Sequence, residues 1–214
     1  MTIGLIGVGH IGTALAADLV DGGATVALAS HTLGSAETVV ETLSAQASAE
    51  TIDELLLGSD VILLAVPYGS IHELITRHAD ALVGKIVVDP SNAVAPDADG
   101  NLHPILPTGQ TAGGNIAGWL PAGARYVKAF GTLGADSLRD GAHQSPPTAL
   151  FYATDTDEAV PRVEEVIRLA GFAPVLIGGV DQVKRIEMGP AGDLHQYGGL
   201  QGRLLTEAQA RALL

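Results

Sequence analysis

The chain has no cysteine, which excludes disulfide frameworks, thiolate metal sites and cysteine nucleophiles. It is also poor in positive charge. Eleven Lys and Arg stand against 24 Asp and Glu, a net charge of −13, and no basic run is present that would track a phosphate backbone, so no nucleic-acid partner is expected. An acidic surface repels anionic cofactors at long range, so any nucleotide site must rest on local backbone dipoles and a few placed donors. No apolar run approaches the roughly 20 residues that cross a bilayer. The N-terminal apolar stretch meets glycines rather than a cleavage site, so no membrane partner is expected and the cytoplasm is the default location. Low-complexity tracts, internal repeats and a clear linker are also missing.

What is there is a globular composition, with 47% hydrophobic residues and 27 glycines in 214, enough for one core or a core with a small lobe. "TIGLIG" reads as a buried strand, and from His10 the residues Ile11, Leu15 and Leu19 follow helical spacing until "DGG" at 21–23. "ATVALAS" (24–30) is a second strand, and "SAETVVETLSAQ" (35–46) a second helix with Ser35 as N-cap. Helix at 51–59, strand at 60–67, helix at 70–82 and strand at 85–92 continue the alternation. The unbroken apolar strands suit a parallel sheet covered on both faces. Residues 93–109 lapse into a Pro- and Gly-rich loop, longer than a plain connection needs. After it come a short helix at "NIAGWLP", a strand at 124–130, a helical turn at "ADSLRDG", and a strand, helix and strand over 147–179. A helical tail with a glycine-rich interruption closes the chain. The expected fold is α/β: a Rossmann-type doubly wound parallel sheet over 1–145 with a small C-terminal α/β lobe over 146–214.

Gly7, Gly9 and Gly12 match G-x-G-x-x-G between a strand and a helix, the context that the dinucleotide fingerprint needs. Gly7 permits the tight turn, Gly9 lets backbone approach a pyrophosphate, and Gly12 lets the helix pack close. Amides at the helix start then face the anion. His10, inside the loop, is equally a phosphate donor or a plain surface residue. The second strand ends in Ser30-His31-Thr32, with no acid before Glu37. An NAD site carries an acid near this point for the ribose hydroxyls. Two hydroxyls and an imidazole favour a 2′-phosphate instead, and hence NADP(H). If His31 grips that phosphate, NADPH affinity falls as pH rises.

Taken in order, "IGLIGVGHIGTALA", "AVPYGSIHEL", "VVDPSNAV" and "VKAFGTLGADSL" resemble the NADPH-dependent oxidoreductases of the coenzyme F420 type, which exchange hydride between NADP and a deazaflavin. The resemblance runs through most of the chain and is strongest in the first 140 residues. It implies that Val8, Gly9, His10, Ile11 and Gly12 hold the pyrophosphate and that Ser30, His31 and Ser35 meet the 2′-phosphate, beside Thr32. It also implies that Val66, Pro67 and Ile71 line the cofactor. Pro90, Ser91 and Asn92, with Ala129, Phe130, Gly131 and Thr132, would lie near the nicotinamide. Two positions depart from the family pattern. Gly131 stands where relatives often have Asn, so that a polar contact is missing or a larger substrate has room, and His31 stands where they commonly have Arg.

In such a reductase hydride passes between stacked rings, so no catalytic side chain and no metal is expected. Lys128 is expected to satisfy a nearby acid rather than a ligand. His195, Tyr197, Arg185 and Arg203 are the polar groups of the C-terminal part that would face a second ligand or a plain helix junction. His72 and His78 are expected on a solvated face. Two other readings stand beside this one: an NADPH-dependent reductase of a small imine or ketone, and an NADPH-binding sensor. The partner is a small molecule, and a homodimer would gather the scarce basic residues that an anionic coenzyme needs.

Overall fold

The computed structural model describes residues 2–189 and 191–214. The first half runs β1 (Ile3–Ile6), α1 (His10–Asp21), β2 (Val26–Ala29), α2 (Leu33–Val40), β3 (Ala47–Ala49), α3 (Ile52–Gly58), β4 (Val61–Leu64), α4 (Tyr68–Arg77), α5 (Ala79–Leu82) and β5 (Ile86–Asp89). A hairpin of β6 (Val94–Pro96) and β7 (Leu102–Pro104) follows, then α6 (Ala112–Trp119), β8 (Arg125–Lys128) and α7 (Ala135–Gly141). The last part holds β9 (Ala149–Tyr152), α8 (Val160–Leu169), β10 (Ala173–Leu176) and α9 (Glu207–Arg211), with short 3-10 turns at Asp157–Ala159 and Val180–Arg185.

Six strands form a parallel sheet in the order β3-β2-β1-β4-β5-β8. Strand order reverses between β1 and β4, and a crevice opens at the carboxyl ends of strands at such a point. Each strand buries alternate side chains on opposite faces. Ile3, Leu5, Val26, Leu28, Val61, Leu63 and Val88 face one core cluster with Leu15 and Leu19 of α1. Ile6, Ala27, Ile62, Leu64 and Val87 face the other, under α3, α4 and α6. Burying one such side chain contributes about 1.5–3 kcal/mol, which is why the sheet is apolar on both faces.

The C-terminal part is built onto the same core. Leu150 and Tyr152 of β9 and Val163, Val166 and Ile167 of α8 share the cluster of α1. An antiparallel bridge between Lys128 and Ala153 ties the β9–β10 pair to the edge of the large sheet.

Several expected boundaries shift. The second helix starts at Leu33 and is capped by Thr32, whose hydroxyl accepts from the Ser35 amide at 3.4 Å, so Ser35 is not the cap. It ends at Val40 and leaves room for β3, a three-residue strand with no apolar run to announce it. His78 breaks the expected 70–82 helix into α4 and α5. The loop after β5 contains the β6–β7 hairpin. The closing segment is mostly turns, because its glycines pack against backbone: a Cβ on Gly192 or Gly198 would overlap a neighbouring carbonyl.

Candidate functional site

The glycine loop has the geometry that its spacing predicts. Gly7 has φ +109°, in the left-handed region, and its amide donates to the Ala29 carbonyl at 2.8 Å, so the turn is tied to β2. A Cβ on Gly12 would overlap the Gly7 carbonyl oxygen, so α1 can sit this close to β1 only with glycine there. Gly9 is different in kind. It has an ordinary extended conformation, and no atom lies within 4 Å of where its Cβ would be. The space over Gly9 is open to a ligand. As N-cap of α1 it supplies no side chain, and no acidic residue occupies the first turn of the helix. The orphan amides there are left for an anion.

A cavity of about 870 Å³ runs from this loop across the end of β2 and between α2 and α4. Gly7, Val8, Gly9, Ser30, His31, Ser35, Val66 and Pro67 line it. Ser30 Oγ lies 3.3 Å from His31 Nδ1, and Ser35 Oγ lies 2.7 Å from Thr32 Oγ1. Thr32 is spent on capping α2 and is not part of the lining. The only acid in the lining is Glu73, and it pairs with Arg77, also in the lining, at 2.6 Å. Arg77 and Thr38 are lining groups that sequence reasoning missed. The Glu73/Arg77 spacing reads as a solvated helix face, and only the α2–α4 packing turns it toward a cavity.

A second cavity of about 490 Å³ adjoins the first, sharing Gly9, Ala65, Val66 and Pro67 with it. His10, Ile11, Pro90, Ser91, Asn92 and Gly131 line it, as the resemblance implies. Its other walls come from far along the chain: Tyr68, Val94 and Leu102 of the hairpin region, Leu133, Met188, His195 and Tyr197. Among the described residues no Lys, Arg, Asp or Glu is in this lining.

Besides Thr32 and Gly12, four expected site residues lie outside both linings. Ile71, Ala129 and Phe130 are buried in the core, and Thr132, 2% exposed, uses its carbonyl on the Gln196 amide. They support the cavity without lining it. Phe130 has φ +64°, a strained conformation for a bulky residue, held by its fully buried ring. Gly131 answers the question raised by its departure from Asn. A Cβ there would lie 2.8 Å from the Pro90 carbonyl oxygen, so glycine serves close packing of two strand ends rather than room for a substrate.

The floor of the second cavity is a web of committed polar groups. Asn92 donates from Nδ2 to the Gly131 carbonyl at 2.8 Å and accepts the Met188 amide on Oδ1 at 2.7 Å. His195 Nε2 lies 3.0 Å from the same Gly131 carbonyl, and Nδ1 accepts the Tyr197 amide at 3.1 Å. That pair of bonds requires a neutral ring protonated on Nε2. Burial, with Lys128 nearby, holds its pKa below the usual histidine value and outweighs the opposing bond to Gly131. Beneath lies an ion cluster. Lys128, fully buried, pairs with Asp89 at 2.8 Å and Glu187 at 3.5 Å and donates to the Ser91 carbonyl. Burial disfavours its ammonium, but Asp89 and Glu187 outweigh burial and hold the pKa above the usual lysine value. Glu187 also accepts the Ala112 and Gly113 amides at the start of α6, and Asp89 accepts the Tyr126 hydroxyl at 2.7 Å. The structural role expected of Lys128 is what the geometry gives.

Arg185 is engaged by Asp193 at 2.8 Å, and Arg203 donates to the Leu200 carbonyl at 3.1 Å, so of the four C-terminal groups only His195 and Tyr197 reach the cavity. His72 sits on the surface against Trp119, with ring centroids 4.7 Å apart. His78 is not solvated: its side chain is 14% exposed, it meets Asp53 at 3.1 Å, and it lines the first cavity. Among the described residues no His, Asp and Glu cluster could hold a metal, and no helix is long and apolar enough to cross a membrane.

Fold and site together give a Rossmann-type parallel sheet with a glycine-loop cavity at its strand ends. The family whose model matches, over residues 2–93, is described as NADP oxidoreductase coenzyme F420-dependent, which bears out the resemblance carried by the motifs and names NADP as the cofactor. The match covers the glycine loop, the end of β2 and the Ser91 turn, and stops before the hairpin. Among solved structures the chain is similar to a hypothetical protein from Sinorhizobium meliloti, at 29% identity over 97% of this chain and 96% of that one, with a TM-score of 0.82. A protein from Arthrobacter sp. FB24, whose F420-dependent NADP-reductase activity is itself a proposal, shares 19% identity over 91% and 89%, with a TM-score of 0.73. A pyrroline-5-carboxylate reductase from Coxiella burnetii shares 17% over 89% and 65%, with a TM-score of 0.61. The last two likenesses speak to the fold alone. No curated protein matches the chain.

Proposed function

We propose that the protein transfers hydride between NADP(H) and a deazaflavin, coenzyme F420 or a similarly flat redox ring. The observation that carries this is the shared wall of Gly9, Ala65, Val66 and Pro67 between a long cavity on the glycine loop and a smaller uncharged one. NADP(H), when bound, supplies or takes up the hydride. The chain's own part is to bind, orient and exclude water. Open amides at the start of α1 and the clear space over Gly9 fit a pyrophosphate. Ser30, His31 and Ser35 fit a 2′-phosphate, since no acid stands at the end of β2 to repel it. Val66 and Pro67 set the boundary at which two rings would meet. No side chain is assigned a proton-transfer role, and the neutral His195, with both ring nitrogens engaged, is part of the wall.

With no cation in its lining, the second cavity accepts an uncharged ring and leaves a charged tail outside. The same proposal makes 1–145 the cofactor-binding part and 146–214 a lobe that closes the second cavity. It also places the chain in the cytoplasm, where NADPH is supplied, as a homodimer. The exposed Leu102 and Tyr197 in the cavity lining support a subunit contact there.

The test is NADPH oxidation followed by absorbance with the oxidised deazaflavin, a flavin, and a panel of imines and ketones as acceptors. Rapid turnover with the deazaflavin alone is expected. Turnover only on imines or ketones, or binding of NADPH with no turnover on any acceptor, would overturn the reading.

A further inference from the structure

Three buried side-chain oxygens lack a hydrogen-bond partner among the described residues: Asp18 Oδ2, Ser59 Oγ and Ser91 Oγ. Of these, Ser91 lines one of the two cavities described above, the second. Its residue is 8% exposed and the oxygen itself is closed to water, while the residue lines the space that a ligand would fill, so a turn about the single Ser91 side-chain torsion brings the hydroxyl to a ligand there. A buried hydroxyl without a partner forfeits a hydrogen bond that it would make in water, and such groups are uncommon in folded proteins.

The main chain fixes where this hydroxyl sits. The Ser91 amide donates to Asp89 Oδ1 at 2.7 Å, its carbonyl accepts from Lys128 Nζ, and Asp89 and Lys128 are paired with each other at 2.8 Å. Residue 91 is therefore held on both sides by one fully buried ion pair. Its neighbours on the cavity floor are spent. Both arms of Asn92, both nitrogens of His195 and the Gly131 carbonyl are engaged within the protein. Among the described residues the lining holds no Lys or Arg, so a carboxylate or phosphate partner would find no fixed countercharge.

We propose that Ser91 Oγ is the specificity-determining hydrogen-bond partner of a neutral, planar amide or carbonyl group borne by a ring in the second cavity. That chemistry has two sources under the reading above, on which this proposal rests: the carboxamide of the nicotinamide, and a ring carbonyl of the acceptor.

The experiment measures binding of NADP⁺ and of 2′-phospho-ADP-ribose, which lacks the nicotinamide, to the full chain and to Ser91→Ala and Ser91→Thr, together with KM for the oxidised deazaflavin. Thermal melts accompany each variant. Ser91→Ala is expected to melt at or above the parent temperature, because the hydroxyl bonds to nothing in the protein. If the carboxamide is the source, NADP⁺ affinity falls about three- to tenfold, as for one lost hydrogen bond, while affinity for the nicotinamide-free probe is unchanged. If the acceptor is the source, both affinities hold and KM for the deazaflavin rises by a similar factor at constant kcat. Ser91→Thr, which keeps a hydroxyl, recovers part of either loss. Ser91→Ala matching the parent protein in NADP⁺ affinity and in KM would overturn the proposal and leave the dinucleotide reading intact. A parent protein that binds neither probe would overturn both.

Discussion

The two cavities are built in different ways. The first lies on the glycine loop, whose form follows from local backbone rules, a left-handed turn at Gly7, close packing at Gly12 and open space at Gly9, with α2 and α4 as its walls. The second is closed by a hairpin, a turn-rich C-terminal segment and a buried ion cluster that joins Asp89, Lys128 and Glu187 across nearly 100 residues of sequence. One is a motif and the other is an assembly. On the proposed reading, cofactor recognition rests largely on the first and the choice of second substrate on the long-range packing around the second.

The largest expected effect breaks the assembly. Lys128→Met leaves Asp89 and Glu187 buried without their cation, and removing one partner of a buried pair costs about 3–5 kcal/mol. Chemical denaturation should register that loss, whereas a change within about 0.5 kcal/mol would mean that the cluster is not what holds the second cavity. Gly9→Val does the opposite. Its new side chain meets open space and an ordinary backbone conformation, so the stability loss should be no more than the about 1 kcal/mol of a poorer N-cap residue, while NADPH affinity falls by at least about thirtyfold, roughly 2 kcal/mol. Equal affinity by fluorescence titration would remove the pyrophosphate from this loop.

Asp18 sharpens the comparison from the α1 side. Its carboxyl is 5% exposed, and burial pushes its pKa up to about 7, against the lesser pull of His143. A carboxyl raised on folding favours the protonated form, so its contribution to stability is full below the unfolded value of about 4 and is lost as pH rises toward 7. Asp18→Asn should therefore stabilise the protein by about 2 kcal/mol at pH 8 and change little at pH 4. Melting curves that shift equally at both pH values would contradict this. The smallest effect is at the end of β2. His31→Ala should weaken NADPH by about 1 kcal/mol and NADH hardly at all. Equal losses for both cofactors would take His31 away from the 2′-phosphate.

The same contrast governs what could be read from the sequence. Strand, glycine turn and helix are encoded within a few residues, so β1, α1 and the missing acid after β2 were legible, and the parallel sheet followed from the apolar runs. Strand β3 was not, because Ala47–Ala49 is short, half-exposed and lacks a branched apolar residue. The hairpin hid in a stretch whose prolines, Pro96 and Pro104, sit at the ends of three-residue strands. Phe130 and Ile71 lay next to the site in sequence, but their side chains turn into the core, a direction that spacing does not give. Met188, Tyr197 and Arg77 reach the cavities only through packing of distant elements. The unpartnered Ser91 hydroxyl is likewise a property of its surroundings, visible once Asn92, His195 and Gly131 are seen to be bonded to one another.

The most direct test of the two-cavity account is to reduce the oxidised deazaflavin with NADPH carrying deuterium at the transferable position and to locate the label by mass spectrometry. Direct passage across the wall of Gly9, Val66 and Pro67 predicts reduced deazaflavin that carries one deuterium from NADPH at the accepting carbon and, from unlabelled NADPH in deuterated solvent, none at that carbon, the proton that completes the reduction at a ring nitrogen coming from water. Reduced product carrying solvent hydrogen at that position, or no reduction at all, would contradict it.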